Sequence, residues 1–264
     1  MNVEDLKYIV KEKYGEIAKQ GDASCGCGTS CCSTSVDYTM FSDNYNTLKG
    51  YNADADLGLG CGLPTEFAQI KNGDTVVDLG SGAGNDCFVA RALVGDSGKV
   101  IGIDMTEEMI ARARRNVAKL GYENIQFFLG DIENMPLQND IADVVVSNCV
   151  LNLVPNKIKA FSEIVRILKP NAHLSVSDVV LKGELPAKLK EASEMYAGCV
   201  AGAIELEEYL NIMKQVGLKN IKIQKEKKVT IPDEILKEFL SEKEFVDFNK
   251  SGTGIYSITV YAEK

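Results

Sequence analysis

From residue 74 to residue 182 the chain alternates short apolar runs with longer amphipathic ones, and few folds accept that order. TVVDLG (75–80), KVIGIDM (99–105), IQFFLGD (125–131), ADVVVSN (142–148) and AHLSVSDVV (172–180) have the length and β-branched content of buried strands. Between them NDCFVARALVG (85–95), EEMIARARRNVAKLG (107–121) and NKIKAFSEIVRILK (156–169) repeat at helical spacing, the second closed by Gly121 and the third stopped by Pro170. Connections of this kind are right-handed, lay strands parallel and cover both sheet faces with helices. ELEEYLNIMKQVGL (205–218) adds a helix, while NIKIQKEKKV (220–229) and IYSITVYAEK (255–264) alternate as strands with one wet face and finish the sheet as a largely antiparallel edge. The expected fold is α/β, a doubly wound, mostly parallel seven-stranded sheet whose ligand sits at the carboxyl ends of the strands.

The rest of the chain divides around this core. Residues 1–73 hold an amphipathic helix, with Val3, Leu6, Val10, Tyr14 and Ile17 on one face, and a cysteine-rich segment; residues 74–183 form the core; residues 184–264 hold a helical insertion, ELPAKLKEASEMYAGCVAGAI, and the end of the sheet. A net charge of −9 argues against nucleic acid and anionic membrane, whose affinity comes from neutralising phosphate. No apolar run approaches the roughly 20 residues of a bilayer span, and the start has no secretory apolar region. The expected location is therefore the cytoplasm, where eight cysteines serve as ligands or redox groups more readily than as structural disulfides.

The turn after the first strand reads DLGSGAGNDC. Gly80, Gly82 and Gly84 let the backbone approach a ligand, Asp78 stands two places ahead, and Asp104 ends the second strand where ribose hydroxyls would need an acceptor. By itself a glycine turn is weak evidence. Together with GIDM and GDIENMP, however, it resembles the class I S-adenosylmethionine methyltransferases over residues 74–182. The resemblance implies a cofactor site in which Gly80, Gly82 and Gly84 pass the methionine part, Asp104 and Met105 hold ribose and adenine, and Asp131 and Ile132 flank the adenine, with Asp78 and Asn148 as further cofactor-binding candidates.

Substrate choice has to come from outside that core, and there three cysteines stand out. Cys149 follows the fourth strand, Cys61 lies in LGLGCGLP, and Cys199 in YAGCVAGAI. Each alone reads as a buried structural thiol. The ordered stretches LGLGCGLP, DLGSGAGNDC, GIDMT, VVSNCVLNLVPNK and SDVVLKGELP resemble the arsenite S-adenosylmethionine methyltransferase family over residues 36–204. That resemblance implies that Cys61, Cys149 and Cys199 bind trivalent arsenic as thiolates, that arsenic takes the methyl group, and that a further amino-terminal cysteine joins capture and a disulfide relay. It also implies a thiol reductant such as thioredoxin or a glutathione-like thiol, and a role in detoxification.

The chemistry is coherent without the family. Thiolates suit thiophilic centres, and an arsenic lone pair carries no proton, so no general base is required. The chain has a single histidine, His173, which at the start of the fifth strand reads as a packed residue. At the amino end Cys25, Cys27, Cys31 and Cys32 crowd one glycine-rich stretch, with Cys31 and Cys32 the further candidates for metalloid capture. A reactive mobile tail and structural zinc are the alternatives there, and Cys87 reads as packed or as a resolving thiol. Two rivals stand beside arsenite methylation: a thiol-rich metal or metalloid binder without turnover, and a methyltransferase for another small molecule.

Overall fold

The structure, a computed structural model, describes residues 3–20, 43–186, 189, 200, 202–231, 233, 236–237 and 240–264. Cys25, Cys27, Cys31, Cys32 and Cys199 lie outside the described residues. In chain order the elements are α1 (Val3–Gln20), α2 (Pro64–Phe67), β1 (Thr75–Leu79), α3 (Asn85–Val94), β2 (Lys99–Asp104), α4 (Glu107–Leu120), β3 (Ile125–Leu129), β4 (Ala142–Asn148), α5 (Lys157–Ile167), β5 (Leu168–Lys182), α6 (Leu206–Gln215), β6 (Lys219–Lys228), α7 (Glu242–Ser251) and β7 (Gly254–Glu263). The seven strands lie in the order β3-β2-β1-β4-β5-β7-β6. The pairings from β3 to β5 are parallel, and β7 runs antiparallel to both β5 and β6. The expected doubly wound sheet and its antiparallel edge are both present.

Period-two alternation sends each strand's apolar residues to two different cores. Val77 and Leu79 of β1 pack with Phe161 and Ile164 of α5 and Tyr209 and Met213 of α6, while Val76 packs with Phe88 and Val94 of α3 and Ile110 and Ala113 of α4. Each such fully buried side chain contributes about 1.5–3 kcal/mol relative to exposure. The edge strand β6 carries mostly Lys, Gln and Glu outward, which discourages pairing with another chain.

Two boundaries differ from the sequence expectation. Helix α5 ends at Ile167, before Pro170, and the chain passes straight into β5 at Leu168. Leu168 pairs with Ala142, the register then shifts, and His173 pairs with Val144, so Pro170, which has no N–H to give a ladder, falls within the irregularity. Helix α7 was not foreseen, yet its signal was present: Ser241 accepts from the Glu244 N–H while Glu244 accepts from the Ser241 N–H, a capping box.

Candidate active site

The strand order reverses between β1 and β4, and a cavity opens there at the carboxyl ends of the strands. Gly80, Ser81 and Gly82 form its floor, Asp104 and Met105 one wall, Asp131 and Ile132 another, and Asn148, Cys149 and Val150 the far side. Gly80 has φ +67°, and a Cβ there would meet the Val150 methyl at 2.3 Å, so no larger residue fits this turn. The Gly82 N–H donates to Asp104 Oδ2 at 3.0 Å and the Thr106 N–H to Oδ1 at 2.8 Å, fixing the Asp104 carboxylate at the cavity edge. Burial raises the pKa of Asp104 against the pull of those two N–H groups. Gly84 does not line the cavity. It caps α3, and its missing side chain is required by Phe127 and Phe88, which a Cβ would approach to 2.9 and 3.0 Å.

The cavity is strongly acidic. Asp56, Asp78, Asp86, Asp104 and Asp131 line it against Lys7, the one basic lining residue among the described residues. Burial, reinforced by the charge of Asp86, pushes Asp78 well above the ordinary carboxylate range, and Cys87 donates its thiol to Asp78 at 3.2 Å. A cationic ligand would relieve this crowding. Helix α1 closes one side of the cavity through Lys7, Val10 and Tyr14, held by Lys7 Nζ at 2.7 Å from Asp131 and 2.8 Å from Glu133. The amphipathic stripe of α1 was legible in the sequence, but what it covers was not.

The segment carrying Cys61 is clamped to the end of β4 and packs on Ser177 of β5. The Cys61 N–H donates to Asn148 Oδ1 at 2.9 Å, and Asn148 Nδ2 donates to the Gly62 carbonyl at 2.9 Å. Nδ2 also lies within hydrogen-bond reach of Tyr45 Oη and of Asp86, and Tyr45 Oη sits 2.9 Å from Asp86 Oδ2. Burial raises the pKa of Asp86, opposed by its bonds to Asn148 and Tyr45. A Cβ at Gly60 would stand 2.7 Å from Asn148 Nδ2, and one at Gly62 would stand 2.6 Å from Ser177 Oγ. The glycines on either side of Cys61 therefore exist so that the backbone can press onto the sheet. Asn148 spends its amide on this clamp, and Tyr45 and Asp86 are members that the sequence did not single out.

Cys149 leaves β4 with φ +59°, a left-handed conformation that costs a non-glycine residue about 1–2 kcal/mol, and its N–H is held by the Ser177 carbonyl at 2.8 Å. This bend turns Cys149 toward Cys61. The two thiol sulfurs and a carboxylate oxygen of Asp178 all lie within 4.8 Å of one another, and all three residues are buried. Asp178 accepts from Tyr209 Oη at 2.9 Å and from the Val179 N–H at 3.0 Å, while burial raises its pKa to about 7. His173 is elsewhere, at the amino-terminal part of β5, with Nε2 2.6 Å from the Ala68 carbonyl and its ring against Tyr261.

Comparison with known proteins bears on the family. A model of the methyltransferase domain family matches residues 70–217. The chain is 41% identical over 235 residues to the arsenite methyltransferase of Halobacterium salinarum, covering 83% of this chain and 59% of that one. It is 33% identical over 209 residues to the arsenite methyltransferase of Homo sapiens, covering 74% of this chain and 55% of that one. The chain thus spans a little over half the length of these curated relatives. Among solved structures it resembles an arsenic(III) S-adenosylmethionine methyltransferase from Chlamydomonas reinhardtii, with a TM-score of 0.66, 33% identity, and coverage of 78% of this chain and 67% of that one. With a methyltransferase-domain match over its core, and this likeness reaching the segments that carry Cys61 and Cys149, the chain belongs to the arsenite S-adenosylmethionine methyltransferase family.

Proposed function

We propose that this chain binds S-adenosylmethionine in the acidic cavity and transfers its methyl group to trivalent arsenic held by the thiolates of Cys61, Cys149 and Cys199. The observation that carries the reading is the meeting of Cys61 and Cys149, distant in sequence, at the edge of a cavity floored by Gly80 and Gly82. Val200, next in the chain to Cys199, is buried in the same apolar cluster as these two cysteines. When bound, the cofactor supplies an electrophilic methyl group on a positively charged sulfur. The residues fit it: Asp104 is pre-oriented to accept from a vicinal diol, and the buried carboxylates favour a cation.

The part played by the cysteines follows from their chemistry. Three thiols displace the three hydroxyls of arsenite as water, leaving a lone pair on arsenic. Holding that lone pair beside the cavity, with water excluded by the surrounding apolar cluster, supplies proximity and desolvation. Gaining a methyl cation oxidises arsenic by two electrons. Two thiolates leaving as a disulfide return those electrons, and a thiol reductant of the thioredoxin or glutathione type reopens the disulfide, a cycle suited to the cytoplasm. No helix among the described residues is long and apolar enough to cross a membrane.

Mass spectrometry of arsenic species after mixing the chain with arsenite, S-adenosylmethionine and a dithiol tests the reading, which expects methylated arsenic. Arsenite bound without methylation would favour the binding protein, and an intact cofactor site with no arsenic affinity another methyl acceptor. His173→Ala is expected to keep most of the activity, since His173 bonds a backbone carbonyl outside the cavity. Removing a general base would instead lower the rate by about 100-fold or more.

A further inference from the structure

Asp178 has no place in the transfer just described, and its situation is unusual. It is fully buried among Val176, Val179 and Val180 of β5, where an unpaired carboxylate is costly. Its two oxygens are oriented from outside, Oδ2 by the Tyr209 hydroxyl and Oδ1 by the Val179 N–H, in the way that surrounding groups orient a metal-binding carboxylate. Lys157, whose charge reaches it, directs its own ammonium to the Asn152 and Val154 carbonyls at 2.9 and 3.2 Å. The Asn152 backbone also bonds the carboxylate, and one of its oxygens lies with both sulfurs within 4.8 Å of one another.

Two soft donors and one hard donor are not the set that trivalent arsenic selects, since sulfur alone satisfies it. They are a set for a borderline divalent ion, which takes thiolate and carboxylate together in a tetrahedral shell. Cys149 lines the cavity, so the fourth position would open toward it. We propose that Cys61, Cys149 and Asp178 form a binding site for a thiophilic divalent cation of the zinc type, and that such a cation and trivalent arsenic exclude one another there. Binding releases the two thiol protons, and any proton on the Asp178 carboxyl, to solvent, and two thiolates and a carboxylate around the ion leave a net charge of −1. The consequence is inhibition of arsenic binding by divalent ions, relieved by a chelator. The site itself stands whether or not the same thiols take arsenic.

Cobalt(II) alone is the probe, because thiolate-to-cobalt charge transfer reports sulfur ligation directly. The full chain carrying C25S, C27S, C31S, C32S and C199S retains Cys61, Cys87 and Cys149, and its binding of S-adenosylmethionine reports folding. It is expected to take one cobalt with a thiolate band, at least tenfold more weakly after Cys149→Ser or Asp178→Asn. Cobalt binding unchanged by Asp178→Asn, or a folded chain with no thiolate band, overturns the proposal. X-ray absorption at the cobalt edge requires no change at Asp178 and must count two sulfurs; one or none also overturns it. Arsenite binding to the unmodified chain separates the two readings. Cobalt binding without arsenite binding supports this site and removes the arsenic reading, whereas a chain that binds arsenite and gives no cobalt thiolate band contradicts the site alone.

Discussion

Cys149→Ser is expected to lower arsenite methylation by about 100-fold or more while leaving S-adenosylmethionine affinity nearly unchanged. Serine is close in size but offers a hard oxygen where arsenic requires a soft sulfur, so the substrate is lost or held out of line. The proposed cofactor contacts come from Gly80, Gly82, Asp104 and Met105, which belong to other loops of the cavity. Cys61→Ser should behave the same way, because Cys61 is clamped at the sheet edge by Asn148 and its neighbouring glycines. Single changes at Cys25, Cys27, Cys31 or Cys32 should do less, since close neighbours in the sequence can substitute. Rates together with cofactor titrations check this. Equal loss of both properties would mean that Cys149 supports the fold and not the transfer.

Asp104→Ala should weaken S-adenosylmethionine binding by about 1–3 kcal/mol, or roughly 5- to 150-fold. The carboxylate is buried, oriented by the Gly82 and Thr106 N–H groups, and turned to the cavity. Removing it takes away the charged acceptor for ribose hydroxyls and leaves two backbone donors without their partner. Calorimetric titration of a variant whose melting temperature is still measurable isolates the binding term. An unchanged dissociation constant would remove Asp104 from the ribose site.

Much of the fold could be read directly, because strand length, β-branched content and helical spacing act locally. Strands such as TVVDL and ADVVVSN declare themselves as buried on both faces, and Gly121 closes α4 in a left-handed conformation. Glycine punctuation likewise marked both Cys61 and the first turn. What it did not reveal is why the glycines are needed: Gly60 and Gly62 make room for Asn148 and Ser177, residues more than 80 positions away. Gly84, read as a cofactor glycine, also has to be bare because Phe88 and Phe127 pack against it. Long-range pairings of this kind leave no trace in local pattern. Tyr45, Asp86 and Lys7 escaped notice for the same reason, since their partners lie on other elements. Asp178 did leave a signal, an acid inside the otherwise apolar and hydroxyl-bearing stretch LSVSDVVL, residues 174–181 of the strand. Its meaning became visible only when β4 and β5 were side by side, with Cys149 bonded to the Ser177 carbonyl.

The central claim is that one arsenic atom is shared by Cys61, Cys149 and Cys199 beside the cofactor cavity. X-ray absorption at the arsenic edge, on the arsenite-loaded chain carrying C25S, C27S, C31S and C32S, tests it most directly. The account predicts three sulfurs and no oxygen around arsenic, falling to two sulfurs after any one of the three cysteines is changed to Ser. An arsenic that keeps oxygen neighbours in the parent chain, or whose sulfur count is unaffected by Cys149→Ser, would contradict it.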